Sequence, residues 1–174
     1  MDDRYIKALN RNLSELQKAI LIRTTLLAIE KHEYTARNFI RIIKDALYTA
    51  YIAHAIKVFD RNRESASYWY IVRVNSGSID RVAKSLCISL DGLEAVSDKI
   101  KIIRDGTAFH IDKKSVIDPS VVWGEADLTG KDLSDAIDTV WSVLSKIQEE
   151  QGGNVPSLLD YDLDEALQAL EAIE

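Results

Sequence analysis

From about Arg4 to Lys31, Ile6, Leu9, Leu13, Leu16, Ile20 and Leu27 recur at the three- and four-residue intervals of one helical face. A second set, Leu21, Ile22, Leu26 and Ile29, makes the C-terminal half of this segment apolar nearly all round. A helix of that kind must sit centrally in a bundle or at a subunit interface, because no single partner covers it. Lys31-His32-Glu33 marks its end. Thr35 is then placed to N-cap a second helix over about residues 36–61. Phe39, Ile43, Ala46, Ala50 and Ala53 form one stripe on it, with Tyr48, Tyr51 and His54 beside or across from that stripe. Two long consecutive amphipathic helices joined by a short link predict an antiparallel hairpin.

The rest of the chain continues in the same period. Residues 65–75 mix aromatic and β-branched side chains, which suits a strand, but a lone strand has nothing to pair with. A short helix capped by Ser65 is the expectation, followed by a turn at Asn75-Ser76-Gly77-Ser78. Ser78 opens another helix buried through Ile79, Val82, Ala83 and Leu86. After a break near Asp91-Gly92, Leu93, Val96, Ile100 and Ile103 carry the pattern towards His110. Residues 113–130 hold Pro119, Gly124 and Gly130 and read as a long loop before a strong helix at 131–150, ended by Gln151-Gly152-Gly153-Asn154. A short acidic helix is expected at 162–173. The expected organisation is one helical domain over residues 1–154 and an acidic tail over 155–174, with no internal repeat.

Composition excludes several classes. Hydrophobic residues make up 47% of the 174, so a core can form without staples, and 2 Pro and 7 Gly lean towards helix rather than disorder. Cys87 is the only cysteine, which rules out an intrachain disulfide and fits a reducing compartment. The polar start Met1-Asp2-Asp3-Arg4 has no signal-peptide run after it, and charges such as Arg23 and Lys57 break the apolar stretches. A cytoplasmic protein with no membrane partner is expected.

The chemistry concentrates in Ile102-Ile103-Arg104-Asp105-Gly106-Thr107-Ala108-Phe109-His110-Ile111-Asp112. An apolar helix ends here with an arginine, a polar residue, four more residues and a histidine. Cleavage of RNA by its neighbouring 2′-hydroxyl needs a proton acceptor and donor near neutral pH, and His serves both tasks. The phosphorane that forms is electron-rich, and a forked guanidinium can hold two of its oxygens. Neither task needs a metal. On an ideal helix, residues six apart point about 120° from each other. Gly106 costs such a helix about 1 kcal/mol relative to Ala, so a kink or loosening is expected there.

This segment resembles the Arg-polar-x(3–5)-His signature of HEPN domains, and the order of a long helical hairpin, further helices and a late motif resembles their layout. The resemblance covers roughly residues 4–150 and lies nearest the abortive-infection, AbiU-like branch. It implies an all-α antiparallel bundle, with His110 as acid/base, Arg104 stabilising the transition state and Asp105 as the supporting polar residue. It also implies a homodimer that joins two motifs into one cleft, RNA as substrate, no cofactor, and an antitoxin protein as a candidate partner. The alternative is a non-catalytic HEPN-like module that binds a nucleotide or a protein. On ordinary grounds Arg104 would be a surface ion-pair partner of Asp105 or Asp98, and His110 a helix-end histidine.

Other residues are secondary. Lys99, Lys101, Lys113 and Lys114 flank the motif as candidate phosphate contacts, as do Arg61 and Arg63 in Phe59-Asp60-Arg61-Asn62-Arg63. That last stretch otherwise reads as a solvated helix end, with Asp60 able to orient a motif side chain. Tyr68-Trp69-Tyr70 suits base stacking or, more commonly, core packing. His54 reads as a satisfied, half-buried histidine. Three His and one Cys show no zinc spacing, and no Walker loop, GxGxxG, GxSxG or HExxH is present. Residues 1–114 carry 20 Lys and Arg against 14 Asp and Glu, a net +6, whereas residues 115–174 carry 2 against 14, a net −12. The basic part is the side expected to meet a nucleic acid, and the acidic part is a candidate screen over it.

Overall fold

A computed structural model describes residues 3–31, 34, 36–108, 120–158 and 168. Among them the elements are α1 (Asp3–Ile29), α2 (Arg37–Phe59), α3 (Tyr68–Ser85), α4 (Leu93–Ile103), a π-helical turn (Arg104–Ala108), α5 (Ser120–Ala126) and α6 (Gly130–Glu150), with no strand. The chain is all-α, as its periodicity predicts. No described helix is long and apolar enough to cross a membrane.

The period of α1 sets the bundle. Leu9, Leu13 and Leu16 have no exposed surface and lie on one stripe with Tyr5 and Ile20. Burying each leucine contributes about 2 kcal/mol, and truncating one to Ala costs about 2–5 kcal/mol. Cross-helix pairs fix the directions. Glu30 meets Lys44, and Glu15 meets His54 and Lys57, so α1 and α2 run antiparallel. Arg23 grips Asp138 through two hydrogen bonds (3.0 and 2.7 Å) and Gln148 donates to Asn10, so α6 is also antiparallel to α1. One core joins these helices to α3 and α4 through Val58, Phe59, Ile71, Val82, Ile100, Ile103, Val140 and Leu144.

Several expectations change. The stripe Phe39–Ala53 is not the buried face of α2; that face is Ile40, Tyr51, Ile52, Ala55, Ile56 and Phe59. Ile42 is 63% exposed and Leu27 of α1 53%, with Phe39 and Tyr48 exposed as well, so the hairpin carries apolar surface that the described residues leave partly open. The segment is helical from Tyr68 on, with Ser67, not Ser65, at its N-cap position, and Ser67 Oγ donates to the Asp60 carbonyl instead of capping. The turn expected at 75–78 is a kink inside α3. Asn75 leaves helical angles (φ −147°, ψ 54°), its Oδ1 accepts from Ser78 N at 3.4 Å, and its Nδ2 donates to Tyr5 Oη. Asn75, not Ser78, therefore starts the second half.

The long loop expected over 113–130 contains α5, whose apolar residues Val122 and Ala126 are buried. Two glycines and a proline nearby hid so short a helix. Thr129 and Asp132 form a reciprocal capping box that opens α6. The break at Asp91-Gly92 is present, with Gly92 at φ +87°. Thr35, the segment 113–119 and the acidic helix at 162–173, apart from Gln168, lie outside the described residues.

Candidate active site

Phe59 ends α2 and Asp60 follows in extended conformation. One bond pins the link after it: buried Asn12, held to its own helix by the Ala8 carbonyl (2.8 Å), also donates to the carbonyl of Ala66 (2.7 Å). The Asp60 carboxylate accepts from the Asn62 amide at 3.1 Å, a local turn typical of Asp. Its Oδ1 also accepts from Arg104 Nη1 at 2.9 Å. Arg104 is the first residue past α4, and its Nε donates to Asp105 at 2.8 Å. The guanidinium is thus tied to two carboxylates. The hydrogen bond to Asp105 and the charges of both aspartates push its pKa up, against the opposing effect of burial.

The arginine leads a π-helical turn, not a continued α-helix. Glycine accounts for part of this geometry. Gly106 is buried, and a Cβ there would stand 2.6 Å from Val122 Cγ1 on α5. The missing side chain lets α5 lie against the turn. The 120° relation expected between positions 104 and 110 assumed an ideal α-helix, and a π-turn breaks that spacing through residue 108.

Beside Arg104 lies a cleft of about 270 Å³, walled by Asp60, Arg61, Ser97, Asp98, Lys101 and Arg104 over a floor of Ile56, Phe59 and Ile100. Of the sequence candidates, Arg104, Lys101 and Arg61 meet at this cleft. Arg61 is engaged already: it bonds Asp98 at 3.0 Å, approaches Glu94 at 3.6 Å and lies 5.4 Å from the Trp69 ring centre. Asp105 touches the arginine without lining the cleft. Arg63 is exposed and outside it. Lys99 bonds the Asp127 carbonyl, away from the cleft. His110, Lys113 and Lys114 lie outside the described residues.

Tyr68 is buried in the core, and Trp69 donates its indole N–H to the wall residue Ser97 at 2.9 Å, so core packing and support of the wall, not base stacking, is where these two residues are engaged. The sequence reading did not single out Ser97. Serine on the buried face of an otherwise apolar helix was the available signal. It also missed the cluster around Glu15. This carboxylate on α1 is 2% exposed and meets His54 Nδ1 at 2.6 Å, Lys57 Nζ at 3.1 Å and Arg11 Nη2 at 2.9 Å. Burial raises its pKa, but the hydrogen bonds from His54 and Lys57 and the charges of Lys57 and Arg11 outweigh that, and it stays below its usual value. An ionised carboxylate only accepts, so His54 Nδ1 carries the shared proton. Glu15 Oε1 faces Arg11 off the line a hydrogen bond needs, and it is buried without one.

No protein-family model matches the chain, and no curated protein or solved structure shows significant similarity to it.

Proposed function

We propose that this protein is a metal-independent endoribonuclease of the HEPN kind, a toxin or phage-defence enzyme that works as a cytoplasmic homodimer. The observation that carries the reading is the setting of Arg104. A guanidinium stands at the rim of a cleft beside Lys101, fixed in direction by Asp60 and Asp105. Fixed donors aimed at developing charge are what stabilise a phosphorane. In this reading His110, six residues on, moves the protons, and the supporting residue is Asp105. The exposed Leu27, Phe39, Ile42 and Tyr48 supply apolar surface for pairing two chains, so that one cleft holds two motifs. An antitoxin protein is a further proposed partner.

The test is incubation of purified protein with RNA, with fragments checked for 2′,3′-cyclic phosphate ends. Arg104→Ala and His110→Ala should each abolish cleavage while helical content stays. Cleavage retained by both variants overturns the mechanism. A second reading, a non-cleaving nucleotide- or protein-binding module, is favoured by the double carboxylate on Arg104, which a substrate phosphate must compete against. RNA binding with no fragments from wild-type protein would select it.

A further inference from the structure

We propose that a second cleft, between α1 and the link that follows α2, binds a backbone phosphate of single-stranded RNA next to the phosphate at Arg104. The choice of RNA rests on the ribonuclease reading; the site itself rests on the Glu15 cluster. This cleft measures about 360 Å³ and is lined by Arg11, Asn12, Glu15, Lys57, Asp60 and Ser65. It shares Ile56 and Asp60 with the Arg104 cleft, so the two adjoin across these residues.

The charge arrangement is directional. Glu15 is 2% exposed, whereas Arg11 and Lys57 are 66% and 49% exposed. One buried carboxylate therefore draws two cations to the rim. A guanidinium has five N–H donors and an ammonium three, more than a carboxylate already bonded to His54 can occupy. The cluster holds two permanent positive charges against one negative. Asp60, on the shared wall, is bonded to Arg104, which it shares with Asp105. Long basic side chains normally lose freedom when they bind; here the buried anchor has removed much of it beforehand.

The experiment measures fluorescence anisotropy of a labelled ten-nucleotide single-stranded RNA on the His110→Ala chain, and of the matching DNA, which lacks the 2′-hydroxyl, on the otherwise wild-type chain. Arg11→Gln/Lys57→Gln should flatten the plot of log affinity against log salt by about 1.4, two contacts at about 0.7 each, and weaken binding roughly ten-fold at 0.1 M salt. Lys7→Gln/Lys131→Gln, which removes two still more exposed charges outside the cleft, should leave the slope unchanged. An unchanged slope in the Arg11/Lys57 variant, or no binding of either strand by the parent chains, overturns the site. Wild-type cleavage with an unchanged slope sinks this site alone. A flattened slope with no cleavage keeps the site and removes the ribonuclease.

Discussion

Arg104 Nη1 and Asp60 Oδ1 face each other at 2.9 Å, joining the first residue after α4 to the first residue after α2. Both are half-buried, so water screens the pair and its worth to stability is below about 1 kcal/mol. Its worth to direction is greater, since a group displaced by about 1 Å can lose a hundredfold in rate. Asp60→Asn should shift the urea midpoint by less than the equivalent of about 1 kcal/mol while single-turnover RNA cleavage falls about a hundredfold. Equal cleavage rates would separate Asp60 from the action of Arg104.

The contact between Gly106 and Val122 makes a sharper test of the turn. Gly106→Ala puts a methyl 2.6 Å from Val122 Cγ1, and both sides are buried. Overpacking of this kind costs about 1–3 kcal/mol. Val122→Ala opens a gap and costs about 1–2 kcal/mol alone. Together the two changes should cost clearly less than their sum, by at least about 0.5 kcal/mol in chemical denaturation. Additive costs would show that α5 does not brace the turn.

Acid should act through Glu15. Its folded pKa lies below the ordinary 4.5, so its contribution to stability is complete above that value and fades as pH falls through the depressed one. Wild-type stability should therefore drop below about pH 4.5, and Glu15→Gln should drop less steeply there. At pH 7 the substitution should cost about 1–3 kcal/mol, because His54 and Lys57 lose a charged acceptor. Parallel acid-unfolding curves would contradict this assignment.

At the C-terminal end of α3, the Ile88 amide bonds the Ala83 carbonyl (2.9 Å) and the Cys87 amide bonds Lys84 (3.2 Å), a Schellman closure. Cys87 sits at φ +56°, in the left-handed region usually given to glycine. Cys87→Gly should stabilise the fold by about 0.5–1 kcal/mol, read as a higher thermal midpoint. A lower midpoint would mean the thiol packs favourably enough to outweigh the strain.

The helices were legible because burial in α1, α4 and α6 follows one face each: Leu9, Leu13 and Leu16, then Leu93, Ile100 and Ile103, then Leu133, Ile137 and Leu144. The α2 stripe misled because Phe39 and Ile42 are as apolar as core residues, and period alone does not say which chain covers them. In α5, seven residues are too few for a periodic signal beside Gly124. Arg104 was legible as a motif, and Asp105 as its neighbour. Asp60 was legible only as an option, since forty-four positions separate it from Arg104 and nothing local announces the pairing. Glu15, Lys57 and Arg11 look like ordinary surface charges in the sequence. Only antiparallel packing of α1 on α2 brings them together and buries the carboxylate.

The bend at Asn75 gives α3 two jobs. A straight rod of 18 residues would extend about 27 Å along a single line. With an elbow in the middle, one arm carries Trp69 to Ser97 at the cleft wall, and the other carries Arg81 to Glu150 near the far end of α6. The indole and that distant ion pair are therefore mounted on one strut. Between them Asn75 leans on Tyr5 of α1, which ties the elbow itself to the first helix.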